Sequence, residues 1–284
     1  MYEILSKETF CPDIKCMVVS APEIAAKARP GQFVVVLSHE MGERIPLTIA
    51  DFDREKGTVT LVFQEVGKST YEMGTFGTGD RFLNVIGPLG RPSEIEGFEK
   101  VVCVGGGIGV APVYPIARGF KENGAHVISI IGARTCDLLI FEDRMKAVSD
   151  EMIVCTDDGS YGRGALVTEP LVEVLDREKG SVERVLAIGP AVMMKFAARA
   201  TKPFGVKTIV SLNAIMVDAT GMCGACRVEV GGRTRFCCVD GPEFDGHEVD
   251  FDLLMARQNQ YLQEEKTALD RYLEATGGTR HARV

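Results

Sequence analysis

Four short apolar runs, each followed by a glycine-rich or polar loop and then a helix-length segment, set the strongest limit on what this chain can fold into. Val101-Val-Cys-Val104 precedes Gly105-Gly106-Gly107-Ile108-Gly109, and His126-Val-Ile-Ser-Ile-Ile131 precedes Gly132-Ala-Arg134-Thr135. Glu151-Met-Ile-Val-Cys155 precedes Thr156-Asp157-Asp158-Gly-Ser160, and Arg184-Val-Leu-Ala-Ile188 precedes Gly189-Pro190-Ala-Val-Met193. Near-continuous apolar strands are those buried on both faces, and their alternation with helices predicts an α/β doubly wound parallel sheet. Val206-Lys-Thr-Ile-Val210 supplies a fifth strand. The loops then share the carboxyl edge of the sheet, where ligands of such folds bind.

Before Pro92 the pattern differs. Phe33-Val-Val-Val-Leu37, Thr58-Val-Thr-Leu-Val-Phe63 and Arg81-Phe-Leu-Asn-Val85 are separated by glycine and proline turns, which predicts an N-terminal antiparallel β-barrel. A length of 284 residues has room for both units and a small appendage. A net charge of −8 argues against nucleic acid as a partner, because phosphate binding needs a basic footprint. The start lacks the apolar core of a signal peptide. The uncharged run from Val101 to Ala117 carries four glycines, Pro112 and Pro115, and reads as strand, loop and helix rather than a membrane span. The expectation is a cytoplasmic protein in which Cys11, Cys16, Cys103, Cys136 and Cys155 are small core residues. Apolar residues from Leu254 to Leu273 recur at helical spacing, predicting one helix over Asp252 to Glu274 that Gly277-Gly278 stops. It packs on its own domain or on a partner subunit, and the tail Gly277 to Val284 is expected to be mobile.

The first glycine loop stands before a helix N-terminus, where backbone N–H groups attract phosphate. It is not the dehydrogenase fingerprint, since Val110 holds the third glycine position and Arg134 stands near the place of an acidic ribose ligand. A tight turn explains it nearly as well, until the loops at Asp157-Asp158 and Gly189-Pro190 are placed on the same edge. In the barrel, Arg44-Ile-Pro46-Leu47-Thr48 offers a hydroxyl and a guanidinium on a strand. Gly67-Lys68-Ser69-Thr70 offers amides, a cation and two hydroxyls, which suits a pyrophosphate. Asp218-Ala-Thr-Gly-Met-Cys223-Gly-Ala-Cys226 and Phe236-Cys237-Cys238 pack four of the nine cysteines into sixteen residues. Such density suits a soft metal centre. Zinc wants a second close pair, which adjacent Cys237 and Cys238 supply awkwardly. An iron–sulfur cluster needs a fourth ligand, either the second vicinal cysteine or an oxygen.

Taken in order, these motifs resemble the ferredoxin-NADP reductase-like electron-transfer subunits, which include the electron-transfer subunit of dihydroorotate dehydrogenase. The resemblance covers residues 1 to 248. It implies an FAD-binding barrel over 1–96, an NAD(P)-binding α/β domain over 97–210, a small 2Fe-2S subdomain over 211–248, and a C-terminal helix and tail over 249–284. Within the family, the small subunits of ferredoxin:NADP oxidoreductases, a lineage also named sulfide dehydrogenase subunit beta, are similar to this chain in one telling position. They carry an aspartate where the dihydroorotate relatives carry a cysteine five residues before C-x-x-C, and here that residue is Asp218. The implied metal ligands are Asp218, Cys223, Cys226 and Cys238, with Cys237 a neighbour. The implied FAD residues are Arg44, Pro46, Leu47, Thr48, Val62, Phe63, Gln64, Gly67, Ser69 and Thr70, although relatives place an arginine where Ile45 stands. The nicotinamide nucleotide falls to Gly106, Gly107, Ile108, Gly109, Arg134, Asp157, Asp158, Gly189, Pro190 and Met193. The resemblance implies NADH here, with NADP(H) left open by the missing acidic ligand.

The function so implied is that of the electron-transfer subunit of a flavin-based, bifurcating ferredoxin:NADP oxidoreductase. It forms a heterodimer with a large FAD and 4Fe-4S subunit and reaches ferredoxin through that complex. No side chain is needed as a catalytic acid or nucleophile. The alternatives are an electron-transfer subunit of dihydroorotate dehydrogenase or of a hydrogenase, and, from another class, a colourless nucleotide-binding regulatory module with a structural zinc.

Overall fold

A computed structural model describes residues 2–281. Strands β1 (Tyr2–Cys11), β2 (Ile14–Ser20), β3 (Phe33–Leu37), β4 (Arg44–Asp53), β5 (Thr58–Gln64), β6 (Arg81–Phe82) and β7 (Asn84–Leu89) pair in the order β6-β1-β2-β5-β4-β3-β7. Every pairing is antiparallel. Only Leu83 separates β6 from β7, yet they pair with opposite ends of the sheet. One segment therefore closes the sheet into a barrel and covers both edges. Helices α1 (Pro22–Lys27) and α2 (Lys68–Thr75) lie on it. Strand alternation sends Met17, Val19, Val34, Val36, Leu47, Ile49, Leu61 and Phe63 into its core.

The alternation in β4 breaks once. Ile49 pairs with Leu61 but Asp51 with Thr60, so Ala50 is an extra, bulged residue. Ala50 and Asp51 both face outward as a result, and Ala50 joins the core shared with the next unit.

That unit contains β8 (Lys100–Gly106), β9 (His126–Ala133), β10 (Glu151–Thr156), β11 (Arg163–Gly164), β12 (Arg184–Ile188) and β13 (Lys207–Ser211), all parallel, in the order β11-β10-β9-β8-β12-β13. Helices α3 (Val110–Glu122), α4 (Glu142–Ala147), α5 (Thr168–Glu178) and α6 (Ala191–Thr201) connect them. The strand order reverses between β8 and β12, which opens a crevice at their carboxyl ends.

The remainder begins with a hairpin, β14 (Arg227–Val230) and β15 (Arg233–Phe236), and a short helix α7 (Cys237–Asp240). Then β16 (Glu243–Asp245) adds to β13 as an antiparallel edge strand. Two helices, α8 (Phe251–Gln258) and α9 (Leu262–Thr276), replace the single expected one. They bury against different units: α8 packs on α6 and β14, and α9 on α2 of the barrel. One straight helix cannot reach both, so the chain turns at Asn259–Tyr261, leaving Tyr261 and Leu262 exposed. Gly277 ends α9 with φ +67°, as expected.

The described end of the tail contacts the barrel. His281 stacks on Tyr71, its backbone N–H donates to the Tyr71 hydroxyl at 2.8 Å, and its Nε2 lies 2.6 Å from Glu65 Oε2. Residues 282–284 of the tail lie outside the described residues. Four of the five scattered cysteines are buried, and burial pushes the Cys16 thiol up to about 11 and the Cys103 thiol to about 12. Cys136 is exposed at the loop after β9, so its assignment to the core is corrected. Among the described residues no helix is long and apolar enough to cross a membrane.

Candidate functional site

Around the switch-point crevice, the loops after β8 and β12 touch backbone to backbone. A Cβ on Gly109 would lie 2.3 Å from the Ile188 carbonyl oxygen and 2.7 Å from Gly189 Cα, so no larger residue fits. Gly106 faces the Met193 sulfur, a side chain that can shift, with Pro190 behind it. Gly107 is glycine for another reason: its φ is +55° and the space beyond it is open. Together, Gly106, Gly107, Ile108, Gly109, Gly189, Pro190 and Met193 form a single wall at the N-terminus of α3.

Arg134, Asp157 and Asp158 stand farther along the same edge, all exposed. The Asp157 and Asp158 N–H groups donate to the carbonyls of Ala133 and Arg134, which ties the two loops together. Ser160 completes the link: its hydroxyl accepts from Cys136 N–H, and its own N–H donates to Asp158 Oδ1. The Ser160 hydrogen bonds hold the Asp158 carboxyl below the usual carboxylate range.

On the barrel, Arg44, Pro46 and Thr48 lie on the outer face of β4, as do Val62 and Gln64 on β5. Val62 joins the core shared with α3, and β5 lies against the Gly107–Gly109 turn. Leu47 and Phe63 belong to the barrel interior, so only their backbone can meet a ligand. The hydroxyls of α2 are engaged already. Thr70 Oγ1 accepts from the Val66 and Gly67 N–H groups and donates to the Gly67 carbonyl. Ser69 Oγ donates to Glu43, a carboxylate that sequence reasoning did not pick out. The N–H groups at the start of α2, beyond Gly67, are what remains to meet an anion there.

The cysteine loop curls through left-handed backbone at Ala219, Gly221 and Gly224. Ala219, at φ +60° and buried, is a non-glycine residue held in a costly conformation, as is common at functional sites. Asp218 accepts from Thr220 N–H through Oδ1 at 3.0 Å and from Cys223 N–H through Oδ2 at 2.9 Å. The Cys226 and Cys238 sulfurs are 3.2 Å apart, and Gly221 donates a backbone hydrogen bond to Cys238. Burial, then the Cys226 thiol, push the Cys238 thiol up to about 12. Metal binding would displace that proton. Cys237, next along α7, points into the core, where burial raises its thiol still further.

Among the described residues no three His, Cys, Asp or Glu side chains converge on a single metal-sized point. The donors come instead as two neighbouring pairs, Asp218 with Cys223 and Cys226 with Cys238. Pairing of this kind fits a two-iron cluster, in which each iron takes two protein ligands. It also explains how adjacent Cys237 and Cys238 avoid competing: successive helical residues point about 100° apart.

A closed antiparallel barrel, a doubly wound sheet with a glycine wall at its switch point, and a thiol-rich loop on the sheet's far edge define a ferredoxin reductase-like electron-transfer protein. Residues 213–250 match the iron–sulfur cluster binding domain of dihydroorotate dehydrogenase B. The chain is 48% identical to the dihydroorotate dehydrogenase B electron transfer subunit homolog of Thermotoga maritima, over 97% of this chain and 96% of that one. It is 31% identical to the corresponding electron transfer subunit of Geobacillus thermodenitrificans, over 82% and 91%. Among solved structures it superimposes on NADH-dependent reduced ferredoxin-NADP oxidoreductase, a structure described for flavin-based electron bifurcation. The TM-score is 0.88 at 46% identity, covering 96% of this chain and 98% of that one. The chain belongs to the family of dihydroorotate dehydrogenase B electron transfer subunits and their homologues, and is an oxidoreductase subunit of ferredoxin reductase-like fold.

Proposed function

We propose that the chain is the electron-transfer subunit of a bifurcating ferredoxin:NADP oxidoreductase, working in the reducing cytoplasm beside a larger subunit that carries FAD and 4Fe-4S centres. The observation that carries the reading is the meeting of two faces. The outer side of β4 and β5, with Thr48, Val62 and Gln64, adjoins the Gly107–Gly109 turn across a shared apolar core. A flavin on the first face and a nicotinamide on the second would share one crevice. FAD there supplies the exchange between the two electrons of a hydride and the single electrons that a 2Fe-2S cluster accepts.

The chain's own residues bind and orient. Arg44 and the first N–H groups of α2 would hold the flavin's phosphates, and Pro46, Thr48 and Gln64 would hold its ring. The glycine wall and the α3 N-terminus take the pyrophosphate of NADH. Asp157 and Asp158 suit ribose hydroxyls, which favours NADH, while Arg134 is the residue that would meet a 2′-phosphate. Asp218, Cys223, Cys226 and Cys238 would hold the cluster, and the Ala225 N–H, which lies 3.5 Å from the Cys223 sulfur, would support one of its thiolates. The division into FAD barrel 1–96, nucleotide domain 97–210, cluster segment 211–248 and C-terminal helices 249–284 follows the same assignment.

The visible spectrum of anaerobically prepared protein tests the reading directly. Flavin bands together with the broad iron–sulfur absorption are expected, and a colourless protein refutes it. Co-purification tests the finer claim: a partner without flavin and 4Fe-4S centres refutes the ferredoxin:NADP reading and leaves the electron-transfer subunit of dihydroorotate dehydrogenase or of a hydrogenase as the alternative.

A further inference from the structure

Where β4 passes α3, one ion pair crosses the apolar junction between barrel and sheet. Arg118 Nη1 donates to Asp51 Oδ1 at 2.6 Å, and each side chain is 23% exposed. The Arg118 guanidinium also lies 5.4 Å from the centroids of both Phe52 and Tyr114, held between a barrel ring and a ring of its own helix. Tyr114 meets Phe141 edge-on, and Phe141 meets Phe10 of β1, which carries the contact to a second barrel strand. Around them Cys11, Ile14, Cys16, Ala50 and Val62 share one core with Val110, Ala111 and Val113.

Asp51 faces α3 because of the bulge at Ala50. In unbroken alternation a residue two places beyond Ile49 would point into the barrel, where its carboxylate would have no partner. Bulges recur beside active sites as devices that re-aim one side chain. An apolar junction holds two units together but resists sliding weakly, whereas a planar guanidinium against a carboxylate fixes an orientation. The lever arms are short. Asp51 is roughly 10 Å along the strand from Thr48, and Arg118 is roughly 12 Å along the helix from Val110.

We propose that Asp51 and Arg118 are positioning residues whose pair sets the distance and angle between the flavin-facing strands and the glycine wall, and so aligns nicotinamide with flavin for hydride transfer. This rests on the flavin and nicotinamide assignment above. The transfer breaks a C–H bond of the dihydronicotinamide and forms an N–H bond on the flavin, moving one proton and two electrons together and leaving NAD⁺. Neither Asp51 nor Arg118 exchanges a proton in it.

The test uses the flavin-loaded complex. Arg118→Lys keeps the charge and loses the planar fork, Asp51→Asn keeps the shape and loses the charge, and Asp51→Glu keeps the pair at another length. Rapid mixing with a series of NADH concentrations separates the Kd from the limiting rate of flavin reduction, and 4-deuterated NADH reports on the transfer itself. Flavin content and Kd are expected within about twofold of the parent, with the limiting rate down roughly 10- to 100-fold in Arg118→Lys and Asp51→Asn. Asp51→Glu is expected to recover part of that loss, and the isotope effect to rise in the slow variants. Parent-like limiting rates in flavin-retaining variants overturn the proposal. So does a rate loss matched by an equal loss of bound flavin, which marks a purely structural pair. Should Asp51→Asn fail to fold, the other two variants carry the same comparison. A parent protein without flavin overturns the underlying assignment, and this proposal with it, before any variant is compared.

Discussion

At Asp218 both carboxylate oxygens already have partners, and those bonds serve two roles that chemistry can separate. Hydrogen bonds from Thr220 and then Cys223 hold the carboxyl below its usual range, so it is ionised across neutral pH. An ionised oxygen is a competent metal donor, and the same bonds also cap the loop. Asn at this position keeps an acceptor for the turn and loses the charge. Asp218→Asn is expected to fold and retain flavin while losing or shifting the cluster's electron paramagnetic resonance signal; an unchanged signal would make Asp218 a cap alone. Asp218→Cys is expected to keep a cluster of altered potential. A second residue contrast concerns the glycine wall. Gly109→Ala forces a methyl onto the Ile188 and Gly189 backbone, which cannot yield, and is expected to cost about 1–3 kcal/mol and most of the affinity for NADH. Gly107→Ala meets open space and only the strain of its positive φ, about 1 kcal/mol. Thermal denaturation and nucleotide titration of the pair check the ordering.

Among the elements, those read most readily from the sequence were the ones whose environment is uniform along their length. Phe33–Leu37 and Arg184–Ile188 are strands end to end as expected, because burial on both faces leaves an unbroken apolar run. The bulge in β4 left no such trace: Ala50-Asp51 reads as ordinary alternation until its neighbour on β5 is known. The division of the last helix was hidden for the opposite reason. Leu254, Leu269 and Leu273 continue one helical spacing although they bury against different units. The proposed cysteine ligands could be narrowed by resemblance, but the N–H groups and left-handed turns around them are backbone features without a residue signature, Gly221 and Gly224 excepted. The docking of α9 is testable on its own. Leu273→Ala removes a buried contact and is expected to cost about 2–4 kcal/mol. His281→Ala removes a half-exposed stack and one side-chain hydrogen bond and should cost no more than about 1 kcal/mol. Equal losses in denaturant titrations would show that the tail, rather than the helix, anchors the C-terminus to the barrel.

Across the whole molecule the three units meet at Glu243. It stands on β16 opposite Ser211 of β13, and its Oε1 accepts from Ser93 Oγ at 2.5 Å in the segment joining barrel to sheet. Gly31 of the barrel packs so closely that a Cβ there would lie 2.8 Å from the same oxygen. Nearby, Arg91 N–H donates to the Gly241 carbonyl and Leu212 N–H to that of Pro242, fastening the chain just beyond Cys238 to both units. Burial pushes the Glu243 carboxyl up to about 7, against the Ser93 hydrogen bond and Arg184 that favour its charged form, while Glu94 opposes it. The folded state therefore binds this proton more tightly than the unfolded chain does. Its contribution to stability is complete below pH about 4.5, declines as pH rises toward 7 and stays lost above that. Glu243→Gln removes the titration while keeping the shape and an acceptor for Ser93. At pH 8 the variant is expected to exceed the parent by on the order of 1–3 kcal/mol, and at pH 5 to match it or fall slightly below. Denaturant titrations at the two pH values read this difference of differences. If parent and variant change in parallel, Glu243 does not titrate in that window, and the junction draws its stability from the backbone bonds and apolar contacts around it instead.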